Sequence, residues 1–217
     1  MAKNTRSNDK YQRILDAAIK VFAEHGFYHS KVAEIAKAAD VADGTIYLYF
    51  KNKDDILISL FEGKMNEIIA QLDSRLVDVR DPLEKIRIYI AGHFELVRDH
   101  HDLAEVITVE LRQSTKFMKE YRNVQFTRYL KILADIIQEG QAGGVVAADV
   151  SPATMSRALF GMMDELALSL VLSGPRKKQS LDKMVEEISA FVLRGLRPAQ
   201  SDEGLHGGAG EEGRERL

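Results

Sequence analysis

The sequence of 217 residues contains no cysteine. This absence excludes disulfide bonds, thiol nucleophiles and zinc sites that use sulfur ligands. No uninterrupted apolar run reaches the roughly 18 residues that a membrane-spanning helix needs, and the first ten residues lack the apolar core of a secretory signal. We therefore expect a cytoplasmic protein that contacts no membrane and is stabilised by packing.

Common catalytic motifs are missing as well. The sequence has no G-x-S-x-G nucleophile elbow, no H-E-x-x-H zinc motif and no Walker loop. The triplet His100-His101-Asp102 resembles a metal-binding cluster, but adjacent histidines point apart and an exposed turn at a helix junction is the favoured interpretation. We expect a binding protein rather than an enzyme, with no catalytic residue, no metal and no cofactor.

The charge is unevenly distributed along the chain. Residues 1–53 carry nine Lys or Arg and six Asp or Glu, a net charge of +3, whereas the remainder has a net charge of −6. The composition, 45% hydrophobic and 29% charged, is ordinary for a soluble folded protein. A small basic module on an acidic body is compatible with nucleic-acid binding.

Apolar residues recur three and four positions apart throughout, and no sustained alternation indicates strands. The pattern predicts an all-α protein with about nine helices. Asp81-Pro82-Leu83-Glu84 is a helix start signal, with a capping carboxylate, a proline at the first helical position and a glutamate two residues later. The predicted helices span 8–25, 32–39, a short segment from 43, a long one from 54, then 82–99, 103–111, 116–139, 152–173 and 180–195.

Two short helices joined by a tight turn and braced by a longer one describe a helix-turn-helix motif. In this motif the second short helix enters the major groove of DNA. At about 100° per residue, Ile46 and Phe50 lie on one side of that helix, and we predict that they pack inward on Ile35 and Phe22.

The opposite side of the same helix carries residues that suit DNA. Gly44 permits close approach, Thr45 can donate a hydrogen bond, and Leu48 can contact a thymine methyl group. Tyrosine hydroxyls, lysines and the start of the preceding helix suit phosphates. The alternative is that the tyrosines are half-buried helix aromatics and the lysines a solvated face. The predicted DNA-binding residues are Ser30, Lys31, Gly44, Thr45, Tyr47, Leu48, Tyr49, Lys51 and Lys53.

Segments 32–36 and 41–53, with Leu57, resemble the DNA-binding region of the TetR family of bacterial repressors, over about residues 11–60. The resemblance implies a homodimer that binds a palindromic operator, and a larger helical domain that binds a small effector and releases DNA. It assigns base contacts to Gly44 and Leu48. It assigns backbone contacts to Thr45, Tyr47, Tyr49 and Lys53.

Two positions depart from the usual TetR pattern. Asp40 stands where a glycine is common in the turn, and aspartate tolerates the left-handed conformation better than most residues. Ala42 stands where a serine often caps the recognition helix, and we expect Asp43 to act as a substitute cap. The predicted domains are residues 1–53 for DNA binding, 54–197 for effector binding and dimerisation, and 198–217 as a disordered tail.

The last two predicted helices carry more apolar surface than a peripheral pair needs, and this favours a dimer interface. The alternative is a purely intramolecular core. The predicted interface residues are Leu159, Phe160, Leu166, Leu170, Ile188, Phe191 and Val192.

Isolated polar groups lie on apolar helix faces in the middle of the chain. Because such groups are costly unless paired, they either satisfy one another or line a ligand cavity. A basic run along the predicted helix 116–139 is either a receptor for an anionic ligand group or a solvated face; it comprises Lys116, Lys119, Arg122, Arg128 and Lys131.

Residues 41–61 and 110–114 resemble the fatty-acid-degradation branch of TetR-type repressors. This resemblance implies a long-chain acyl-CoA effector, with an apolar tunnel for the acyl chain and Arg or Lys at its mouth. The alternatives are a TetR-type repressor that senses another apolar compound, such as a drug, and a helical lipid carrier. The predicted ligand-binding residues are His93, Phe94, Val97, Ile107, Glu110, Leu111, Arg112, Gln113, Leu133, Phe160, Met163 and Asp164.

Overall fold

The computed structural model describes residues 2–121, 124–174 and 178–199, which form ten α-helices and one 3-10 helix and contain no strand. The predicted all-α class is confirmed. The helices are α1 Ala2–His29, α2 Val32–Ala38, α3 Asp43–Ile46, α4 Lys53–Leu76, α5 Pro82–Asp99, α6 His101–Thr108, the 3-10 helix Glu110–Gln113, α7 Thr115–Lys119, α8 Val124–Ala142, α9 Pro152–Leu172 and α10 Lys178–Leu196.

The helix predicted at 116–139 is instead two helices, α7 and α8. The Ser114 hydroxyl accepts a hydrogen bond from the Phe117 amide and caps α7, which ends after five residues. Because α7 ends before α8 begins, the predicted helix counts as two, and the apolar period alone did not reveal this tenth helix. Arg122 and most of the predicted tail, residues 200–217, lie outside the described residues.

The predicted start signals operate as expected at two helices. The Asp81 carboxylate accepts a hydrogen bond from the Leu83 amide at 2.9 Å, and a proline occupies the first turn of α5. The Ser151 hydroxyl caps α9 in the same way. These caps satisfy amides that would otherwise have no partner in the helix.

We refer to α1–α3 as the head and to α4–α10 as the body. Gly26 has a φ of +74° and interrupts α1 at the predicted stop, and Asp40 has a φ of +54°, as expected for the turn. Ala42 is the residue before α3, and no side chain caps this helix, so the cap predicted for Asp43 is wrong.

Buried residues form one continuous core that extends from the head through the body. In the head, Phe22, Ile35, Ile46 and Phe50 are all buried in this core, and the Tyr11 ring stacks on Phe50 with 5.1 Å between the ring centroids. Shared packing therefore connects the head to the body. Among the described helices, none is long and apolar enough to cross a membrane.

Candidate DNA-binding face and effector site

Helix α3 and the turn that follows it, residues 47–50, have a buried side and an exposed side. Ile46 and Phe50 are 1% and 2% exposed, whereas Tyr47 and Leu48 are 60% and 81% exposed. The predicted inward packing of Ile46 and Phe50 is confirmed. Tyr47 and Leu48 are neighbours, so together they form a small exposed patch with one phenolic hydroxyl, on the side opposite the buried pair.

The side chains that flank α3 are held in different ways. Tyr49 is half-buried and lies 6.2 Å from the Tyr11 ring, while Lys51 and Lys31 are exposed. The Ser30 hydroxyl is buried and donates to the carbonyl oxygens of Val21 and Gly26. The structure therefore places this hydroxyl inside the head, although the sequence pattern grouped Ser30 with the surface residues.

Lys53 connects the end of α1 to the start of α4. Its ammonium group donates to the carbonyl oxygens of Phe27, Tyr28 and Ser30 and lies 4.6 Å from the centroid of the Phe27 ring. Burial lowers the pKa of Lys53, although the nearby carboxylates of Asp54 and Glu34 act in the opposite direction. The sequence did not reveal this role because the partners are backbone carbonyls that lie more than 20 positions away.

Several polar residues that were predicted to bind ligand pair with protein groups instead. The Glu110 carboxylate is 6% exposed and accepts hydrogen bonds from the Phe27 amide at 2.5 Å and from the Gln113 side chain at 3.0 Å. Arg112 forms an ion pair with Asp164 on α9. Burial raises the pKa of Asp164, while Arg112 lowers it. These four residues follow the first alternative, in which the polar groups satisfy one another.

His93 lies in a cluster of aromatic rings. Its Nδ1 is 3.2 Å from the Tyr129 hydroxyl, and its ring centroid is 5.8 Å from that of Phe160. Burial lowers the pKa of His93 to about 4, opposed by a hydrogen bond with the Met163 backbone. The imidazole is therefore neutral near pH 7.

The apolar residues predicted for the acyl tunnel belong to the core. Phe94, Leu111, Leu133 and Met163 are buried, and the others are partly buried against them: Val97, Ile107 and Phe160. Tight packing leaves these side chains in contact with one another.

A cavity of about 600 Å³ lies elsewhere, between α1, α4, α5, α6 and α8. Stacked rings of Tyr89 and Tyr129, with centroids 4.7 Å apart, form part of its wall. None of the twelve predicted ligand residues lines it, although His93 contacts Tyr129. The cavity is lined by Asp16, Ile19, Lys20, Lys64, Glu67, Ile68, Gln71, Leu72, Arg75, Tyr89, Gly92, Glu95, Leu96, Asp99, His100, His101, Asp102, Leu103 and Tyr129.

Some basic groups of this cavity form ion pairs within the chain, and others do not. Lys64 pairs with Glu67 at 2.9 Å, and Arg75 pairs with Glu95 at 2.7 Å. Lys20 of α1 is exposed and forms no ion pair within the described part of the chain. His101 Nε2 is buried without a hydrogen-bond partner there. A ligand with acceptor atoms therefore has the free ammonium group of Lys20 available in this cavity, whereas the His101 ring nitrogen is covered and becomes a donor only if this side chain turns.

The triplet that contains His101 begins α6, and no group of three potential metal ligands occurs among the described residues.

Some residues of the predicted dimer interface are buried within the chain, and others are exposed or half-buried. Leu170, Ile188 and Val192 are buried within one chain, so these three are core residues rather than interface residues. Phe191 is 66% exposed, and Leu172 at the end of α9 is also exposed. The remaining predicted residues are half-buried: Leu159, Phe160 and Leu166.

A helix-turn-helix head on a larger helical body is the architecture of a class of transcription regulators. Residues 14–60 match the family described as "Bacterial regulatory proteins, tetR family", and residues 61–195 match "YsiA-like protein, C-terminal region". The chain therefore belongs to the TetR family of bacterial transcription regulators.

Within this family, the chain is similar to regulators of fatty acid metabolism. It is 42% identical over 187 residues to the fatty acid metabolism regulator protein of Bacillus subtilis (strain 168), covering 86% of this chain and 95% of that protein. The solved structures of FadR from Bacillus halodurans and of FadR from Bacillus subtilis in complex with stearoyl-CoA superpose with TM-scores of 0.79 and 0.80. Both are 37% identical to this chain, and each comparison covers 86% of this chain and 100% of the other. The resemblance to the fatty-acid-degradation branch is confirmed.

Proposed function

We propose that this chain is a homodimeric repressor that binds a palindromic operator through the exposed side of α3 and is released by a long-chain acyl-CoA. Its targets are genes of fatty acid degradation, and it acts in the cytoplasm by binding, without catalysis. The observation that carries the proposal is the exposure of Tyr47 and Leu48 above the buried Ile46 and Phe50. The similarity to fatty acid regulators supports the choice of effector.

The DNA contacts proposed here are of two kinds. Gly44 and Leu48 lie against base edges, where small and apolar groups meet the groove floor. Phosphate contacts fix the register without reading sequence, and they come from Lys31, Thr45, Tyr47, Tyr49, Lys51 and the backbone around Ser30. Lys53 acts chiefly by holding the α1–α2 connection in place.

Two heads are required because one short helix makes few contacts, and linking two heads converts the second binding event into an intramolecular one. The exposed Phe191 and Leu172, with the half-buried Leu159 and Leu166, are the apolar groups that a second chain would cover. The pairing therefore uses the outer faces of α9 and α10, whose inner faces form the core.

The cavity between α1, α4, α5, α6 and α8 supports the proposal of an effector site. Its volume of about 600 Å³ lies within the range of ~300–1,000 Å³ typical of ligand pockets. In this proposal the phosphates of the acyl-CoA meet Lys20 and His101, and the acyl chain extends past Tyr129 towards His93 and Phe160. Entry of the chain requires these aromatic rings to move apart.

Release of DNA follows from a shift in conformational population. A ligand can shift an equilibrium only by its difference in affinity for the two states. Helix α4 begins at the head and lines the cavity from Lys64 to Arg75, and α1 contributes Lys20. An effector in this cavity therefore favours one arrangement of head and body over another, and the bound arrangement holds the two α3 helices at a separation that does not fit the operator.

The proposal is tested by selecting duplexes from random-sequence DNA with the purified protein, followed by footprinting. We expect a two-fold symmetric sequence with half-sites one helical turn or more apart, and loss of the footprint with stearoyl-CoA. A symmetric site that responds only to non-lipid apolar compounds would indicate a drug-type regulator. Stearoyl-CoA binding without any selected DNA would indicate a lipid carrier, and both results would overturn the proposal.

A further inference from the structure

Phe27 is held from two directions at the junction of head and body. Its amide donates to the Glu110 carboxylate at 2.5 Å, and its carbonyl accepts from the Lys53 ammonium group. Its ring packs edge-on against Phe22 with 5.4 Å between centroids. We call Phe27, Glu110 and Lys53 the Phe27 joint.

The Phe27 joint lies where the end of α1 contacts the 3-10 helix. Gly26 adopts a φ of +74°, a conformation that is strained for other residues, whereas a Cβ there would make only an ordinary contact of 3.5 Å with Glu110 Oε2, so the glycine is required by its backbone conformation and not by space. The Glu110 carboxylate is almost fully removed from water, so its hydrogen bonds to Phe27 and Gln113 replace its hydration. A buried charge of this kind strongly favours the arrangement in which its donors are in place.

The body side of the joint is connected to the cavity and to α9. His101, Asp102 and Leu103 at the start of α6 line the cavity, and Glu110 follows the end of that helix by two residues. Because α6 is a rigid element about 12 Å long, displacement of its start also displaces Glu110. Arg112, in the same 3-10 helix as Glu110, pairs with Asp164 on α9.

A second contact runs parallel to the first. The Ser114 hydroxyl donates to the Asp54 carboxylate at 2.6 Å, and this links the segment after the 3-10 helix to the first turn of α4. The 3-10 helix therefore contacts the end of α1 directly and the start of α4 through its neighbour.

We propose that Glu110 is a positioning residue that couples the effector site to the DNA-binding head by holding or releasing the Phe27 amide. The inference rests on the proposed function, and it goes beyond it by assigning the coupling to one carboxylate that touches neither DNA nor effector. In this account the effector displaces α6. Glu110 and Phe27 then separate or realign, and the head changes its angle to the body.

The experiment measures thermodynamic coupling in the full-length protein. Operator affinity is determined by fluorescence anisotropy with and without saturating stearoyl-CoA, and stearoyl-CoA affinity is determined by calorimetry without DNA. The ratio of the two operator affinities is the coupling factor, which for allosteric proteins is typically about 5- to 150-fold. We expect Glu110→Ala to reduce this factor below about threefold while stearoyl-CoA affinity stays within about threefold of wild type.

Two further variants give the experiment its controls. Glu110→Gln keeps a carbonyl acceptor for the Phe27 amide and should retain most of the coupling. If the alanine variant fails to fold, Glu110→Asp replaces it, because the shorter side chain withdraws the acceptor from the Phe27 amide and should also reduce the coupling. Glu120→Ala removes an exposed glutamate at the end of α7, outside the joint, and should behave as wild type.

The outcomes separate this inference from the proposed function. Wild-type coupling in Glu110→Ala would overturn the role of Glu110 and leave the proposed function intact. Loss of stearoyl-CoA binding in Glu110→Ala would also overturn it, because Glu110 would then belong to the ligand site. Absence of any stearoyl-CoA effect on the wild-type protein would instead contradict the proposed function.

Head movement gives an independent readout because the chain has no cysteine to remove. A single Gln12→Cys substitution on the exposed face of α1 allows one spin label in each head. We expect stearoyl-CoA to change the distance between labels in the wild-type background and not in Glu110→Ala. An equal change in both backgrounds would contradict the proposal.

Discussion

The head and the body separate their buried and exposed residues in different ways. In the head, α3 and the turn that follows it face a core on one side and water on the other, so Ile46 and Leu48 differ completely in exposure. In the body, helices are covered on several sides, and Phe94 and Leu133 are both fully packed. An apolar helix face therefore identifies a binding surface only where nothing else in the chain covers it.

The largest expected effect is on stability, and it contrasts a buried with an exposed side chain in the turn that follows α3. Phe50→Ala removes a buried ring and should lower the free energy of unfolding by about 3–5 kcal/mol. Leu48→Ala should change it by less than about 0.5 kcal/mol, yet weaken operator binding. Urea denaturation followed by circular dichroism measures both. Equal destabilisation by the two variants would show that Leu48 is packed.

A second prediction concerns His93, whose imidazole is partly buried among aromatic rings of the body. Because the pKa of His93 is lowered to about 4 in the folded state, the unfolded chain binds a proton at higher pH than the folded one. Stability contributed by the neutral ring is complete above about pH 6.5 and is lost as pH falls towards 4. Between pH 7.5 and 4.5, wild type should lose about 2 kcal/mol more than His93→Gln. Parallel pH profiles in denaturation would contradict the burial of this ring.

A third prediction distinguishes the cavity from the basic run of α7 and α8. Lys20→Ala removes the unpaired ammonium group of the cavity and should weaken stearoyl-CoA binding about tenfold, or about 1.4 kcal/mol. Lys131 pairs with Asp135 on the surface of α8, and Lys131→Ala should change the affinity less than about twofold. Calorimetry measures both affinities. The reverse order would place the anionic group of the effector on the basic run.

The smallest expected effect is at the edge of the DNA-binding face. Lys51 is exposed beside α3, and Lys51→Ala should remove one phosphate contact from each head. The slope of log affinity against log salt should become shallower by about 0.9 for each lost contact. Affinity for specific and nonspecific duplexes should fall together by a few fold. A change in the preferred operator base would indicate that Lys51 reads sequence.

Most of the head was predictable from the sequence because its signals are local. Gly26, Asp40 and the pair Ile46 and Phe50 behave as their types and spacing indicate. Lys53 did not behave as a free surface lysine, because its partners are carbonyl groups of a distant turn. Backbone acceptors leave no mark in a sequence, so a contact of this kind becomes visible only in three dimensions.

The effector site of the body was much less predictable. Periodicity located the helices, but it did not distinguish a core residue such as Leu133 from a cavity residue such as Leu72, since both lie on apolar faces. Glu110 was recognised as an unusual polar group, and its partner proved to be the Phe27 amide, 83 positions away. The cavity depends on how five helices meet, which is a tertiary property.

In the proposed function, one exposed face of the head binds DNA and an acyl-CoA in the body ends this binding. The most direct measurement is an anisotropy titration of full-length protein with a selected operator duplex, followed by addition of stearoyl-CoA. We expect tight binding that is lost as stearoyl-CoA is added, and no loss with coenzyme A that lacks the acyl chain. Operator binding that stearoyl-CoA leaves unchanged at saturation would contradict the account.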